Sequence, residues 1–568
     1  MNETLLALSL LAVTGLTGVA ARLLKLRVPM PLLQIAAGTV ASLAGLHVGL
    51  DSELFLLLFI PPLLFLDAYR IPMREFGELR GIIITMAVGL VILSAIGGGY
   101  FLHWLMPPVS LAAAVALSSA ISPTDAVSVG GILGGRAPAR LTHILRGEAL
   151  LNDASGLVCF KFAVAAATTG VFSLREASGN FLWVALGGIA VGIIVCWVIS
   201  RIEVWMLHHG YDDPSSHSLL ALMIPFAIYL AAESVGTSGI LAVVAGGATL
   251  RLSGVMNETQ IETRMRATVI WDMVSFTLNG LVFLMLGLQL PEMVREAQEV
   301  SHSYGMGPWV LPVAMVALQV VLILIRLIWV SGSSVVRHLY AHMRHRPAIL
   351  PTWREKLILA LAGPHGTITL AAILTLPPAT EFPTRTLLVT LAAGVIICSL
   401  VFASVTLPVV LRLIPMENGT SDAQKELDNT RIVLVRSAIS ALQEEAARQQ
   451  NEETPDEADK AHAHAIPLLL QEYQEALQAL DNQADDMDHQ RSGAIRNKRA
   501  ELAIRLRLLR VQRRVLRDLL HDREINDETE RLLSLQLDLH EQELKNEVSA
   551  MPRTPDGLHA SDTNLKNA

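Results

Sequence analysis

Apolar runs separated by short polar stretches fill the chain up to about residue 415, and charged sequence with periodic leucines follows. Runs of about 20 apolar residues are long enough to cross ~30 Å of hydrocarbon as helices. Helices are expected because each backbone group in lipid must find its partner within its own segment. Thirteen such segments are predicted, near 4–21, 28–47, 52–71, 80–105, 110–133, 142–170, 178–202, 216–236, 238–252, 269–290, 308–332, 356–377 and 384–413.

Basic residues are concentrated in every second loop between these segments. Such loops lie on the cytoplasmic side of a membrane. The N-terminus is then outside and the C-terminus inside, which requires an odd number of crossings, and thirteen satisfies this. We expect a multi-pass protein of the plasma membrane, in contact with the lipid bilayer. The basic loops carry Arg22, Lys25 and Arg27, then Arg70, Arg74 and Arg80, then Arg136, Arg140 and Arg146, then Arg201, then Arg251, Arg264 and Arg266, and then Arg337 to Lys356.

Composition divides the chain at the same point as hydropathy. The 568 residues are 52% hydrophobic and 17% charged, with a mean hydropathy of +0.46. The formal charge is about +2 over residues 1–415 and about −10 over 416–568. A near-neutral apolar body and an acidic tail are physically different objects. We therefore expect an all-α transmembrane domain over 1–415 and a soluble cytoplasmic tail over 416–568.

The tail has the leucine spacing of packed helices. Leu502, Leu509 and Leu516 recur every seven residues, which predicts a helical hairpin or a short coiled coil. The basic run over 491–517 has three interpretations: pairing with the tail's own acidic stretches, contact with anionic lipid, or, last, nucleic acid. Aromatic interleaving is absent from the run, so no nucleic-acid partner is expected. A regulatory or dimer-supporting role is compatible with this pattern.

Ionisable residues within apolar segments are costly, so each is a functional candidate. The fifth segment contains SSAISPTDAVSVGGILGG. Pro123 removes a helical donor and the following glycines loosen the chain, which predicts an interrupted helix. Its free carbonyls, with Thr124 and Asp125 beside them, suit a cation. The alternative is a Pro-kinked helix in which Asp125 only caps the second half.

The sixth segment contains RGEALLNDASGLVCFKFA, with two acids on different helix faces. Glu148 and Asn152 are four residues apart and share a face, whereas Asp153 lies about 140° round the helix from Glu148. We place Asp153 on the ion path. Glu148 faces a neighbouring helix and needs a cationic or donor partner there, and a purely structural role for it is the alternative.

The twelfth segment contains LALAGPHGTITLAAIL, where Gly363–Gly366 predicts a second interruption with a titratable imidazole, His365. A core histidine with satisfied hydrogen bonds is the alternative, but the need for a partner at Glu148 favours a functional one. The fifth and twelfth segments occupy equivalent places if segments 1–6 and 8–13 form two halves. Interrupted segments at matching positions are typical of transporters built from inverted repeats.

Three motifs together resemble a known family. SPTDAVSVGGIL, GEALLNDASGLV and LNGLVFLMLGLQLP are similar to those of the bacterial sodium/proton exchangers of the monovalent cation:proton antiporter-1 family, and the resemblance covers about 1–415. It implies thirteen helices with two crossed discontinuous ones, a homodimer and alternating access by a moving core. It also implies Na⁺ at Asp153, Asp125 and Thr124, with Asn152 beside them, Glu148 as a structural acid, and Arg326 as a membrane arginine of the family.

Two positions depart from the family pattern. His365 stands where an arginine usually pairs with the acid at Glu148, so either the pair responds to pH or Glu148 stays protonated. Asp67 lies one residue later than the usual acid, about 100° round its helix, which leaves its membership in the site open.

These features predict a secondary antiporter rather than an enzyme, with no cofactor. Cation and proton compete for Asp153. The resemblance implies electroneutral exchange for an Asn-Asp pair, and a carboxylate that binds either one cation or one proton agrees with one-for-one exchange. Na⁺ is the expected cation, and a K⁺/H⁺ or mixed-selectivity antiporter is the alternative within transport. An ion channel is the alternative of another class, but a channel needs a continuous polar pore and here the acids are concentrated at two interruptions. A membrane hydrolase is disfavoured because no nucleophile arrangement lies at suitable depth.

Overall fold

The computed structural model divides the chain into two compact units, Met1–Glu417 and Asn418–Ala568. The division falls two residues beyond the boundary predicted from composition. The predicted acidic partners of the basic run, near 452–459 and 485–488, lie outside the described residues. The structure describes residues 3–23, 28–46, 52–133, 137–169, 174–209, 213–254, 261–343, 351–378, 380, 382–412, 419–450, 466–474, 477 and parts of 502–519 and 533–545.

Helices make up the regular structure of the first unit over its described residues. A π-helical stretch, Thr85–Leu90, joins the fourth helix to the fifth without a break. The helices are α1 Glu3–Leu23, α2 Met30–Leu43, α3 Ser52–Tyr69, α4 Met73–Ile84, α5 Val91–Leu105, α6 Leu111–Ile121, α7 Ala126–Leu133, α8 Ala139–Thr169, α9 Leu174–His208, α10 Pro214–Ser234, α11 Gly239–Ser253, α12 Ile261–Ser303, α13 Val310–Met343, α14 Trp353–Leu361, α15 Thr367–Leu374 and α16 Arg385–Arg412.

Seven helical stretches in the described residues are long and apolar enough to cross a membrane. Shorter apolar helices accompany them, among them Leu8–Ala21, Met30–Leu43 and Gly239–Ser253. The long stretches are Met73–Leu105, Arg140–Thr168, Trp183–His208, Ser215–Ser234, Met265–Ser303, Val310–Val336 and Arg385–Arg412. An all-α membrane protein is therefore confirmed.

Both predicted helix interruptions are present. The fifth predicted segment is split between α6 and α7, and the twelfth is split between α14 and α15. Pro123 lies in the first gap and Pro364 in the second, and a proline has no N–H to donate to the helical ladder. The sequence signal was local in each case, which is why it located the breaks to within a few residues.

The division within residues 216–252 has a clear local cause. Asp213 accepts from the Ser216 N–H at 2.8 Å and caps α10, with Pro214 in its first turn. Gly236 has φ of +71°, and Ser238 then caps α11 by accepting from Leu241 N–H. A glycine in the left-handed region followed by a serine cap ends one helix and begins the next.

Two features exceed the sequence prediction. The π-helical stretch has no proline or charged residue to announce it. α12 runs for 43 residues, well past the predicted apolar segment at 269–290, and includes Pro291. A helix needs apolar residues only where it meets lipid, so hydropathy marked the membrane portion of α12 and not its end.

Close backbone packing joins α2 to α12. A Cβ on Gly38 would overlap the backbone of Leu284, and a Cβ on Gly287 would overlap that of Ile35. The Thr39 hydroxyl donates across the pair to the Gly287 carbonyl at 3.2 Å. Small residues let helices approach to this distance in a membrane, where packing takes the place of the hydrophobic effect.

The described residues of the second unit form α17, Gly419–Gln450, and, further along the chain, two groups of helical residues that pack together. Leu502, Leu506 and Leu509 bury their side chains with Leu544. Arg513 forms an ion pair with Glu541 at 2.6 Å. This is the packing expected of the helical hairpin that the heptad leucines predict.

Candidate ion-binding site

The two helix interruptions lie against each other. The Asp125 N–H donates to the Pro364 carbonyl at 2.8 Å. The His365 ring nitrogen Nδ1 lies 3.0 Å from the Pro123 carbonyl, which can only accept, so Nδ1 carries the hydrogen. Each interruption thus supplies a hydrogen-bond partner for a backbone carbonyl that the break leaves unpaired in the other.

Gly366 is required where the interruptions meet. A Cβ at this position would lie 2.5 Å from the Asp125 Cβ and 2.8 Å from its carboxyl carbon. Real Cβ atoms do not approach that closely, so any larger residue must push the two segments apart. Glycine is needed here because a side chain has no space, and not because of an unusual backbone angle.

A cavity of about 350 Å³ opens beside the interruptions. Three carboxylates line it, those of Asp67, Asp125 and Asp153. Its other polar lining residues are Arg70, Thr124, Arg146, Asn279 and Thr369. The predicted residues Asp153, Asp125 and Thr124 therefore line one cavity, and Asp67, whose membership was open, lines it as well.

One face of α8 forms a wall of this cavity. Arg146, Ala149, Leu150 and Asp153 all line it, at the spacing of residues that share a helix face. Asp153 retains only 9% of its exposure. The carboxylate is buried among helices and reaches polar surroundings through the cavity.

Asp125 sits at the start of α7 and has several partners. Its backbone N–H bonds the second interruption, and its carboxylate accepts a hydrogen bond from the Ser128 hydroxyl. Asp125 immediately precedes α7 and lines the cavity, and a hydroxyl from the first turn of α7 orients its carboxylate.

Asn152 faces away from the cavity and supports it from behind. Its side-chain Nδ2 donates to the Thr124 hydroxyl at 3.0 Å, and only 1% of the residue is exposed. Thr124 lines the cavity, so Asn152 acts on the site by fixing the threonine. Of the predicted ion-site residues, Asn152 is the one that does not line the cavity.

Glu148 is paired with Arg326 of α13 and not with His365. The two guanidinium NH groups reach the two carboxylate oxygens at 2.5 and 2.7 Å. Arg326 also donates from Nε to the Leu359 carbonyl at 2.6 Å. The expected Glu148–His365 pair is wrong, because both oxygens of the acid already meet an arginine from another helix.

His365 is instead buried within the interruption itself. Its backbone N–H donates to the Ser399 hydroxyl at 3.0 Å, and its imidazole holds the Pro123 carbonyl. It binds the two interruptions together and ties them to α16. The residue is 4% exposed and does not line the ion cavity.

Several cavity residues were not singled out as site residues from the sequence. Asn279 lies in the LNGL motif and was read only as part of a resemblance, while Arg70 and Arg146 were used only as markers of topology. Arg70 forms an ion pair with Asp272 of α12 at 2.5 Å. The sequence did contain a signal for Arg70 and Arg146. Arg70 lies three residues from Asp67 and Arg146 seven residues from Asp153, which are spacings of residues that share a helix face.

The three carboxylates surround the cavity rather than converging on one point. No group of three or more His, Cys, Asp and Glu with metal-holding geometry occurs within the described part of the chain. A monovalent ion needs few formal charges around it. It therefore suits a cavity in which one carboxylate binds it together with hydroxyl and carbonyl oxygens.

Comparison with known proteins identifies the fold and the family. The family model described as sodium/hydrogen exchanger, transmembrane, matches residues 8–413, which include the whole cavity. The chain belongs to the sodium/hydrogen exchanger family. The resemblance drawn from the three motifs is thereby confirmed.

Relatives of this exchanger family extend over nearly the whole chain. The uncharacterised Na⁺/H⁺ exchanger YjcE of Escherichia coli K12 is 39% identical over 544 residues, which cover 93% of this chain and 96% of that protein. The sodium, potassium, lithium and rubidium/H⁺ antiporter of Bacillus subtilis is 34% identical over 581 residues, covering 100% and 80%. The chain is thus a multi-pass membrane antiporter of monovalent cations and protons.

The fold is that of a solved exchanger. The sodium proton antiporter MjNhaP1 of Methanocaldococcus jannaschii superposes with a TM-score of 0.53, covering 72% of this chain and 99% of that chain. At 15% identity the likeness concerns architecture alone. The shared architecture covers most of the exchanger chain and leaves over a quarter of it unmatched.

Proposed function

We propose that this exchanger carries Na⁺ against H⁺, one for one, with both ions competing for Asp153. The observation that carries the proposal is a single buried carboxylate on the cavity face of α8, with a neutral amide, Asn152, as its neighbour. A carboxylate that holds either one proton or one monovalent cation has the same net charge in both loaded states. Exchange through it is therefore electroneutral.

The other two carboxylates of the cavity each have a polar or charged neighbour close by in the chain, which favours Asp153 as the exchanging group. Asp125 accepts a hydrogen bond from the Ser128 hydroxyl, and Asp67 lines the cavity together with Arg70, three residues on. Thr124 supplies a hydroxyl to the same cavity, oriented by Asn152. We assign the cation to Asp153, with Thr124 and Asp125 completing its ligands and Asp67 at the approach.

The position of the cavity supports alternating access as the mechanism. Arg70 and Arg146 line it, and both belong to loops or helix ends that the distribution of basic residues assigns to the cytoplasm. The cavity thus faces the cytoplasm in this conformation. Moving the interruptions and α8 past the remaining helices would expose Asp153 on the other side.

The same proposal includes thirteen crossings, an external N-terminus and a cytoplasmic tail. The sixteen α-helices in the described part of the first unit give this number when α4 and α5, α6 and α7, and α14 and α15 are each counted as one crossing. The two interrupted crossings are then the crossed pair at the centre of two inverted repeats. A homodimer with a regulatory tail completes the arrangement.

A second candidate is an antiporter of mixed selectivity. The relative from Bacillus subtilis is named for sodium, potassium, lithium and rubidium, and is 34% identical along the full chain. Size selectivity is set by the number and spacing of oxygens around the ion, which one carboxylate does not fix.

Proton flux in proteoliposomes distinguishes these candidates. Purified protein is reconstituted with an internal pH dye, and Na⁺, Li⁺, K⁺ and Rb⁺ gradients are applied singly, with voltage clamped at zero or at −100 mV by a separate ionophore couple. We expect a response to Na⁺ whose rate is the same at both voltages. A voltage-dependent rate contradicts one-for-one exchange, and equal responses to K⁺ and Rb⁺ favour the second candidate.

A further inference from the structure

A small second cavity of about 20 Å³ lies near the interruptions. Thr124 lines both this cavity and the ion cavity, so the two are neighbours. Its polar lining includes Ser122, Gln319, Arg326 and His365. The volume is enough for about one water molecule.

Three buried polar atoms of these lining residues have no hydrogen-bond partner among the described residues. They are the Ser122 hydroxyl oxygen, Gln319 Oε1 and His365 Nε2. Buried polar groups are nearly always hydrogen-bonded, because leaving one unpaired forfeits its interaction with water. Three such atoms around one small cavity indicate a shared partner.

The chemistry of the three atoms specifies that partner. Nδ1 of His365 donates to the Pro123 carbonyl, so in the neutral imidazole Nε2 carries no hydrogen and accepts. Gln319 Oε1 also accepts, and two acceptors cannot bond to each other. Ser122 has one hydrogen and satisfies only one of them, whereas a water molecule donates to both and accepts from Ser122.

Charge in the cavity excludes other small occupants. Arg326 is the charged residue in the lining, and both oxygens of its partner Glu148 are already bonded to it. A cation would meet the guanidinium without a carboxylate of its own. An anion would meet two acceptor atoms. The same guanidinium opposes a second positive charge on His365, so the neutral imidazole is favoured.

We propose that this cavity is a binding site for one water molecule, through which Gln319 and Ser122 position His365. The water links Gln319 of α13 to His365 in the second interruption, and the imidazole of His365 in turn donates to the Pro123 carbonyl. Thr124 follows Pro123 in the chain and lines the ion cavity. Without the water, the imidazole loses its fixed orientation and Thr124 loses part of its support.

Density and tautomer test the water site without reference to transport. A cryo-EM map of the full-length protein that resolves ordered water should show one molecule within 3.2 Å of all three atoms. Solid-state NMR with ¹⁵N-histidine, compared with His365→Gln, should show an imidazole protonated at Nδ1 only. An empty cavity, direct contact between Gln319 and His365, or an Nε2-protonated ring would overturn the proposal.

Matched variants test the positioning role, which rests on the proposed exchange at Asp153. Gln319→Met removes the acceptor at similar length, while Gln319→Asn keeps an acceptor and leaves room for water. Leu322→Met is the control, since Leu322 lines the same cavity with no polar atom. We expect Gln319→Met to lose the water density and to raise the KM for cation about five- to tenfold.

The other two variants should stay within about twofold of wild type. A Gln319→Met protein that keeps both the water and its KM contradicts the positioning role. If wild-type protein shows no exchange, the proposed function fails, yet the density and tautomer still decide the water site.

Discussion

The Glu148–Arg326 pair is the most demanding interaction at the residue scale. Both side chains are almost fully buried, and two short hydrogen bonds join them. Desolvating two charges is costly, and the cost is recovered only while each has its partner. The pair anchors α8 to α13 directly behind the ion site.

Removing one member of this pair should be worse than removing both. Arg326→Met leaves a buried carboxylate without its partner and is expected to cost about 3–5 kcal/mol of stability. Arg326→Met combined with Glu148→Gln should recover a large part of that loss. Thermal unfolding in detergent measures both, and a double variant no more stable than Arg326→Met would show that the charges are not mutually compensating.

The pairing also shows what sequence reasoning cannot reach. Helix periodicity put Glu148 and Asp153 on different faces, and in the structure Glu148 bonds Arg326 while Asp153 lines the cavity. It did not indicate which base meets Glu148, because Arg326 is 178 residues away and sits among apolar neighbours. His365 was chosen as partner by position in a motif, and the distance between helices decided otherwise.

At the scale of elements, the meeting of the two interruptions depends on Gly366. Gly366→Ala should displace Asp125 and lower exchange by at least about tenfold, since a misplacement of 1 Å in a site can cost two orders of magnitude. Gly131→Ala in α7 is the matched control, because nothing lies within 4 Å of its added Cβ. Equal exchange rates in the two variants would mean that the close approach is not needed.

Local chemistry explains which elements were predictable. Proline, glycine and the polar residues beside them mark both interruptions, and Asp213, Pro214 and Ser238 mark the boundary between α10 and α11. The π-helical stretch at Thr85–Leu90 arises where apolar residues pack, with Gly89 against Trp329, and has no such mark. The position of the π-helical stretch therefore depends on tertiary packing, which local sequence does not indicate.

The tail hairpin should weaken in acid. Lys545 and Arg513 beside Glu541 hold the pKa of its carboxyl below the ordinary value of 4.5. A folded pKa below the unfolded one gives stability above pH 4.5 that is lost as pH falls through the folded pKa. The hydrogen-exchange protection factors of residues 508–516 in the full chain, which are corrected for the intrinsic effect of pH, should fall below pH 4.5, and less so in Glu541→Gln. An unchanged acid response in that variant would remove Glu541 from the account.

At the scale of the whole molecule, the orientation in the membrane is open to direct labelling. In a background with Cys159, Cys196 and Cys398 replaced, Gly307→Cys should react with a membrane-impermeant maleimide in intact cells. Gly307 precedes α13 in the chain and Trp353, which is exposed, follows it, so the two positions should lie on opposite sides of the membrane. Trp353→Cys should therefore react only after the cells are opened. Reaction of both in intact cells would contradict the topology derived from the basic loops.

Hydropathy and charge predicted the membrane unit and its helices, and proline and glycine predicted the two interruptions, because these features depend on solvent and on local backbone chemistry. The family followed from three short motifs. Which side chains share a cavity depended on how helices cross, and no periodicity carries that information. Asp67 was therefore left open, although it lines the same cavity as Asp153.

The central claim is that cation and proton compete for Asp153, and replacing this one carboxyl tests it most directly. Asp153→Asn and the control Asp213→Asn, which keeps a capping side chain on α10 outside the cavity, are each reconstituted in proteoliposomes. Na⁺-driven proton flux should vanish in Asp153→Asn and stay at the wild-type rate in Asp213→Asn. Retained exchange in Asp153→Asn would contradict the account.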